Sequence, residues 1–213
     1  MQNSSSKENI LKKIRQALSN PVPVPFPKSE GNSSLFQPPT EDLDITFASE
    51  FTKLQGKFAF CFDEKDFKAQ LRQLLTERQW KNIYCAENLL RNIITPATTE
   101  KLNQTTLKDC DVAVTSCEYL IARTGSIVLS SAIAEGRTAS VYAPVHICVA
   151  YTNQLVYDVK DGLQQLKEKH TEGLPSLISF ATGPSRTADI EKTLVVGVHG
   201  PKEVYLFLID HAM

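Results

Sequence analysis

From Thr138 to Tyr157 the chain reads TASVYAPVHICVAYTNQLVY, its longest run without Asp, Glu, Lys or Arg. A membrane span needs about 20 mostly apolar residues, but Ser140, Pro144, His146, Asn153 and Gln154 interrupt this run. It reads as buried strand structure instead. Similar apolar stretches lie on either side: KFAFCF (57–62), NIYCA (82–86), DVAVTS (111–116), SIVLSS (126–131), SLISFA (176–181) and VYLFLID (204–210). Between them the apolar period changes to that of a helix at about Glu41–Gln55, Lys65–Arg78 and Glu87–Ile94, and in DGLQQLKEKH (161–170) and TADIEKTL (187–194). Short strands alternating with helices predict an α/β fold, with a mostly parallel sheet flanked by helices. The strands show little polar alternation, as expected when both faces are covered. No internal repeat is visible.

The chain has 213 residues, for which one large domain is the default. Its 23 basic and 24 acidic side chains give a net charge of −1, which excludes a general polyanion binder. Cys61, Cys85 and Cys148 lie in apolar runs, and Cys110 and Cys117 lack metal-ligand spacing. These features predict buried reduced thiols and no metal held by the chain. The opening MQNSSSKENI has no apolar secretory core, and the cytoplasm is the expected compartment. Ile10, Leu11, Ile14, Ala17 and Leu18 predict an amphipathic helix over Lys7–Leu18. The proline-alternating PVPVPFPK (21–28) then predicts an extended arm. Residues 1–39 are read as helix and arm, and 40–213 as a single α/β domain.

Three turns carry candidate chemistry. The first is Arg123-Thr124-Gly125-Ser126, where hydroxyls and loop amides suit a carboxylate or phosphate and Arg123 adds donors; it equally fits a plain turn. The second is Gly183-Pro184-Ser185-Arg186-Thr187-Ala188-Asp189, read as a turn opening a helix, with N–H groups and Arg186 facing an anion. Ligands of parallel sheets gather at the carboxyl ends of strands. The third is Val198-His199-Gly200-Pro201. His199 there, and His146 after Pro144, can exchange protons near neutral pH or serve as structural hydrogen-bonders. His170 and His211 are read as surface groups, and Glu135-Gly136-Arg137 as a polar turn between strands. No GxGxxG follows a strand, which disfavours hydride transfer.

ARTGSIVLSS, GRTASVYAPVHICVAY and GPSRTADIEKTLVVGVHGPKEVYLFLID, in that order, resemble the lactate utilisation (LUD) domain family, and within it the lactate utilisation protein C subfamily. The resemblance implies a NagB/RpiA/CoA-transferase-like fold. It also implies a small subunit in a system that oxidises L-lactate to pyruvate with iron–sulfur partner proteins, which carry the clusters. Many members place an acid before the TG turn where this chain has Arg123. A nucleophile or base like the glutamate of CoA-transferase relatives would therefore have to be Glu118 or Glu135.

The expected ligand is a small anion held by Arg123, Thr124, Gly125, Ser126, Gly183, Ser185, Arg186, Asp189 and Gly200. His199 and His146 are the candidate catalytic groups. The alternatives are a non-catalytic assembly protein of the same complex, or a CoA-ester or sugar-phosphate enzyme. Sequence assigns the chain no catalytic activity of its own.

Overall fold

The computed structural model describes residues 6–19, 38–97, 102, 106–133, 135–188 and 194–211. Two units divide between Pro38 and Pro39. In the first, α1 (Ser6–Leu18) is helical as expected, with Ile10, Ile14 and Leu18 exposed. The Pro-rich arm lies outside the described residues.

The second unit begins with α2 (Leu43–Lys53), β1 (Lys57–Cys61), α3 (Glu64–Arg78), β2 (Ile83–Tyr84) and α4 (Asn88–Ile94). It continues through β3 (Val112–Thr115), β4 (Tyr119–Ile121), β5 (Ser126–Ser130), α5 (Gly136–Tyr142) and β6 (Val145–Tyr151). The last elements are β7 (Leu155–Val156), α6 (Val159–Lys169), β8 (Ile178–Ala181), β9 (Arg186–Ala188), β10 (Leu194–Val196) and β11 (Glu203–Ile209). Local chemistry sets several of the boundaries. The Asp63 carboxylate accepts the Asp66 N–H at 2.7 Å and caps α3. Asp158 and Asp161 cap the start of α6 reciprocally.

Five strands form an all-parallel sheet in the order β1-β11-β6-β3-β2. One face, with Val114, Ile147, Val149 and Phe207, packs on Phe67 and Leu71 of α3 and Leu90 and Ile94 of α4. The other face is covered mainly by a second sheet rather than by helices. That sheet has the order β7-β4-β5-β8 and is mostly antiparallel. Its Leu120, Ile127 and Leu129 meet Cys148, Ala150, Leu206 and Leu208, joined by Phe47 and Phe51 of α2. Leu166 of α6 covers the outer side of the second sheet on Ile121, Val128 and Val156.

Two sequence expectations need correction. Of the expected helix TADIEKTL, the described residues Thr187, Ala188 and Leu194 lie in strands instead: β9 and β10 pair antiparallel, Thr187 opposite Val195 and Arg186 opposite Val196. Such β-branched residues favour an extended ladder, and Asp189 lies outside the described residues. The expected turn Glu135-Gly136-Arg137 opens α5, so the run from Thr138 begins in a helix and becomes strand only at Val145.

Candidate functional site

The loops singled out by sequence are stitched together. The Ser185 N–H donates to the Pro201 carbonyl at 2.9 Å, and the Gly197 N–H donates to the Ser185 carbonyl at 3.0 Å. The GPSR and VHGP segments therefore form one wall. Gly183 is required there, because a Cβ on it would press on the Leu54 carbonyl oxygen at 2.6 Å. Beside this wall lies a cavity of about 280 Å³, bounded by Ser140 of α5, His146 of β6, Thr182, Gly183, Ser185, His199 and Gly200. A second cleft of about 450 Å³ lies against the same loop, with Tyr142, Pro144 and Lys202. Val141, His199 and Gly200 border both. The cavity adjoins the amino ends of β6 and β11, not the carboxyl ends expected for a ligand of the central sheet.

His146 is 1% exposed, on the face that meets the second sheet. Its Nε2 lies 2.8 Å from the Thr115 hydroxyl, and its Nδ1 has no partner among the described residues. Burial pushes its pKa down to about 4, so the ring is neutral at physiological pH. His199 is exposed on the ridge between the two clefts.

The remaining expected anion ligands are engaged elsewhere. Arg123 donates two 3.1 Å bonds to Asp158, which is 3% exposed. These bonds hold the Asp158 carboxyl below its usual range. Arg123 borders neither cleft. Gly125 has φ +59, and a Cβ on it would lie 2.5 Å from the Phe51 backbone nitrogen, so this turn is shaped by packing on α2. Thr124 and Ser126 share a 2.7 Å hydroxyl bond, and Ser126 reaches Thr182 at 2.9 Å. Through Thr182 the turn touches the rim of the cavity. Arg186 donates to the Leu54 carbonyl and also stays outside the cavity wall.

Neither candidate acid enters the site. Burial would raise the Glu118 pKa, yet bonds from Lys169 at 2.7 Å and Ser130 at 2.5 Å bring it below the usual carboxylate range. His170, expected at the surface, places Nε2 3.5 Å from Glu118 Oε1, its side chain 21% exposed. Glu135 accepts the Tyr84 hydroxyl; burial first and this bond second push the tyrosine up to about 12. All five cysteines are buried and unbridged. Among the described residues no group of three or more His, Cys, Asp or Glu is placed to hold a metal ion, and no helix is long and apolar enough to cross a membrane. Sequence reading missed Thr115, Ser140 and Thr182. Their only signal was a hydroxyl inside or at the end of an apolar run.

The family model of the LUD domain matches residues 46–209, most of the chain. The chain belongs to the LUD domain family. This LUD chain is 28% identical to an uncharacterized protein of Neisseria meningitidis serogroup B, over 97% of its own length and 95% of the other. It is 33% identical to a protein of Geobacillus sp. named lactate utilization protein C, covering 79% of this chain and 69% of that one. A protein of the same name from Halalkalibacterium halodurans is 38% identical, over 48% of this chain and 46% of that one. Against several proteins of that name, the match spans about half of the relative's length. The fold is shared with the 1.70 Å crystal structure of a DUF162 family protein from Deinococcus radiodurans. The TM-score is 0.56 and the identity 18%, covering 78% of this chain and 96% of that one.

Proposed function

We propose that this chain serves in lactate utilisation, as the small component of a system that oxidises L-lactate to pyruvate with iron–sulfur partner proteins. In this reading the partners carry the redox clusters, and the chain holds a small carboxylate of that reaction in the cavity beside His146 and His199. One observation supports it above the rest: in a LUD chain whose relatives include proteins named lactate utilization protein C, Gly183, Ser185, His146, His199 and Gly200 converge on one cavity. Its volume of about 280 Å³ is at the small end of ligand pockets, a size suited to lactate or pyruvate. Neither Arg123 nor Arg186 lines it. Loop amides and hydroxyls would therefore meet the acid, with Lys202 bordering the adjoining cleft.

Deleting the gene tests the role. Growth on L-lactate as sole carbon source should be lost and restored by a plasmid copy, with growth on glucose unchanged. Undiminished growth on L-lactate overturns the proposal.

The exposed apolar side chains of α1, Ile10, Ile14 and Leu18, favour a second reading as an assembly protein. There the N-terminal segment would attach the chain to an iron–sulfur partner. Removing residues 1–39 should then abolish co-purification with that partner, and unchanged co-purification excludes the segment as the contact.

A further inference from the structure

Every residue of helix α1 from Lys7, and Ser19 after it, is exposed, so burial does not account for the helix's apolar period. At about 100° per residue, Ile10, Leu11, Ile14, Ala17 and Leu18 share one face about 120° wide. The cations are ordered around that face. Lys13 stands about 40° beyond one edge and Arg15 about 40° beyond the other, while Lys12 lies nearly opposite. Lys7 closes the face at its amino end, where its long stem can run along apolar neighbours with the ammonium reaching outward. With Glu8 as its single acid, the helix carries +3 in a chain of net −1, which leaves −4 on the remaining residues. Its 13 residues make it about 20 Å long, too short to cross a bilayer. A basic helix with one apolar face instead lies in the plane of a membrane interface, its bordering cations extended to the headgroups.

We propose that α1 lies on an anionic lipid surface, with Ile10, Leu11, Ile14 and Leu18 at the boundary of headgroups and acyl chains and with Lys13 and Arg15 reaching phosphates on either side. Charge complementarity decides the occupant. A protein groove that took this face would need acids along both of its rims. A leaflet of anionic lipid offers phosphates on every side of the helix and requires no such fit. The remaining residues, at −4, gain no net attraction to that surface, so attachment falls to α1. This inference stands apart from the lactate reading, and the failure of either leaves the other in place.

Flotation of the full chain with vesicles tests this directly. Vesicles of equimolar phosphatidylcholine and phosphatidylglycerol should carry the protein upward. Vesicles of phosphatidylcholine alone should bind about a hundredfold more weakly, since each of three net charges contributes about fivefold. Salt at about 1 M, which shortens the Debye length to about 3 Å, should release the protein from the anionic vesicles. Lys13→Gln/Arg15→Gln leaves the apolar face whole and should weaken binding about 25-fold. Lys12→Ile/Ile14→Lys keeps composition and net charge but sets a lysine at the centre of the face, and should abolish flotation. All of these side chains are exposed, so both variants should unfold at the parent's temperature. Failure of the full chain to bind anionic vesicles overturns the proposal. Equal binding to both kinds of vesicle overturns it, as does undiminished binding by either variant. If the full chain ignores vesicles and the Lys12–Ile14 exchange instead abolishes co-purification with an iron–sulfur partner, the face belongs to that protein and not to lipid.

Discussion

Replacing Gly125 with alanine separates a packing turn from an anion cradle. An L-residue at φ +59 costs about 1–2 kcal/mol from contact between its Cβ and the backbone. The new Cβ would also stand 2.5 Å from the Phe51 nitrogen and 2.8 Å from Glu50 C and Phe51 Cα. These are main-chain atoms of α2 and cannot rotate away, so α2 or the turn must shift. Phe47 and Phe51, both 0% exposed, would lose their fit against Ala122 and Ile127. Overpacking of this kind costs about 1–3 kcal/mol. The sum is about 2–5 kcal/mol, and for a domain of this size each kcal/mol lowers Tm by about 2–4 °C. A fall of roughly 4–20 °C is expected in thermal unfolding followed by circular dichroism. Gly173→Ala is the control, since nothing lies within 4 Å of its Cβ and only backbone strain applies. A Gly125→Ala protein as stable as Gly173→Ala would refute the reasoning.

Arg123→Ala should cost about 1–2 kcal/mol in urea denaturation by removing two bonds to the buried Asp158 carboxylate, which keeps its cap bonds at the start of α6; Arg123 is a third exposed, which holds the figure below that for a fully buried pair. Pyruvate binding by the folded variant should be unchanged in calorimetry, and its loss would return Arg123 to the site. His146 is neutral when folded down to about pH 4, whereas the unfolded chain takes up its proton below about 6.5. The unfolded state thus binds more protons across that window, and stability falls as the pH drops through it. From pH 6.5 to 5 this term removes about 2 kcal/mol, and His146→Gln should flatten that part of the urea-midpoint profile. A thiol-specific colorimetric reagent should find no reactive cysteine in the native protein and five after denaturation, since burial raises Cys61 to about 12 and Cys85 to about 11. Rapid labelling of native protein contradicts that burial.

The parallel sheet was legible because its strands carry side chains buried on both faces, as VHICVAY and VYLFLID do. Helix α3 was legible from its apolar period, and its Asp63 cap emerged only in the structure. The second sheet was not, since β4 and β7 have only three and two residues, too few to show a period. TADIEKTL deceived because acids and lysine mimic a helix surface, while its described ends, Thr187, Ala188 and Leu194, pair across the β9–β10 ribbon. For the site, sequence picked out the GPSR and VHGP loops but misjudged the arginines. Arg123 reads as an anion ligand until Asp158, 35 residues away, is seen to occupy it. The Thr115–His146 pair joins residues 31 positions apart and leaves no local pattern at all.

A crystal of the protein soaked in pyruvate tests the central claim most directly. The account predicts ligand density in the cavity between α5, the GPSR turn and the VHGP loop. Density at the Thr124–Ser126 turn beside Arg123, or an empty cavity at saturating pyruvate, would contradict it.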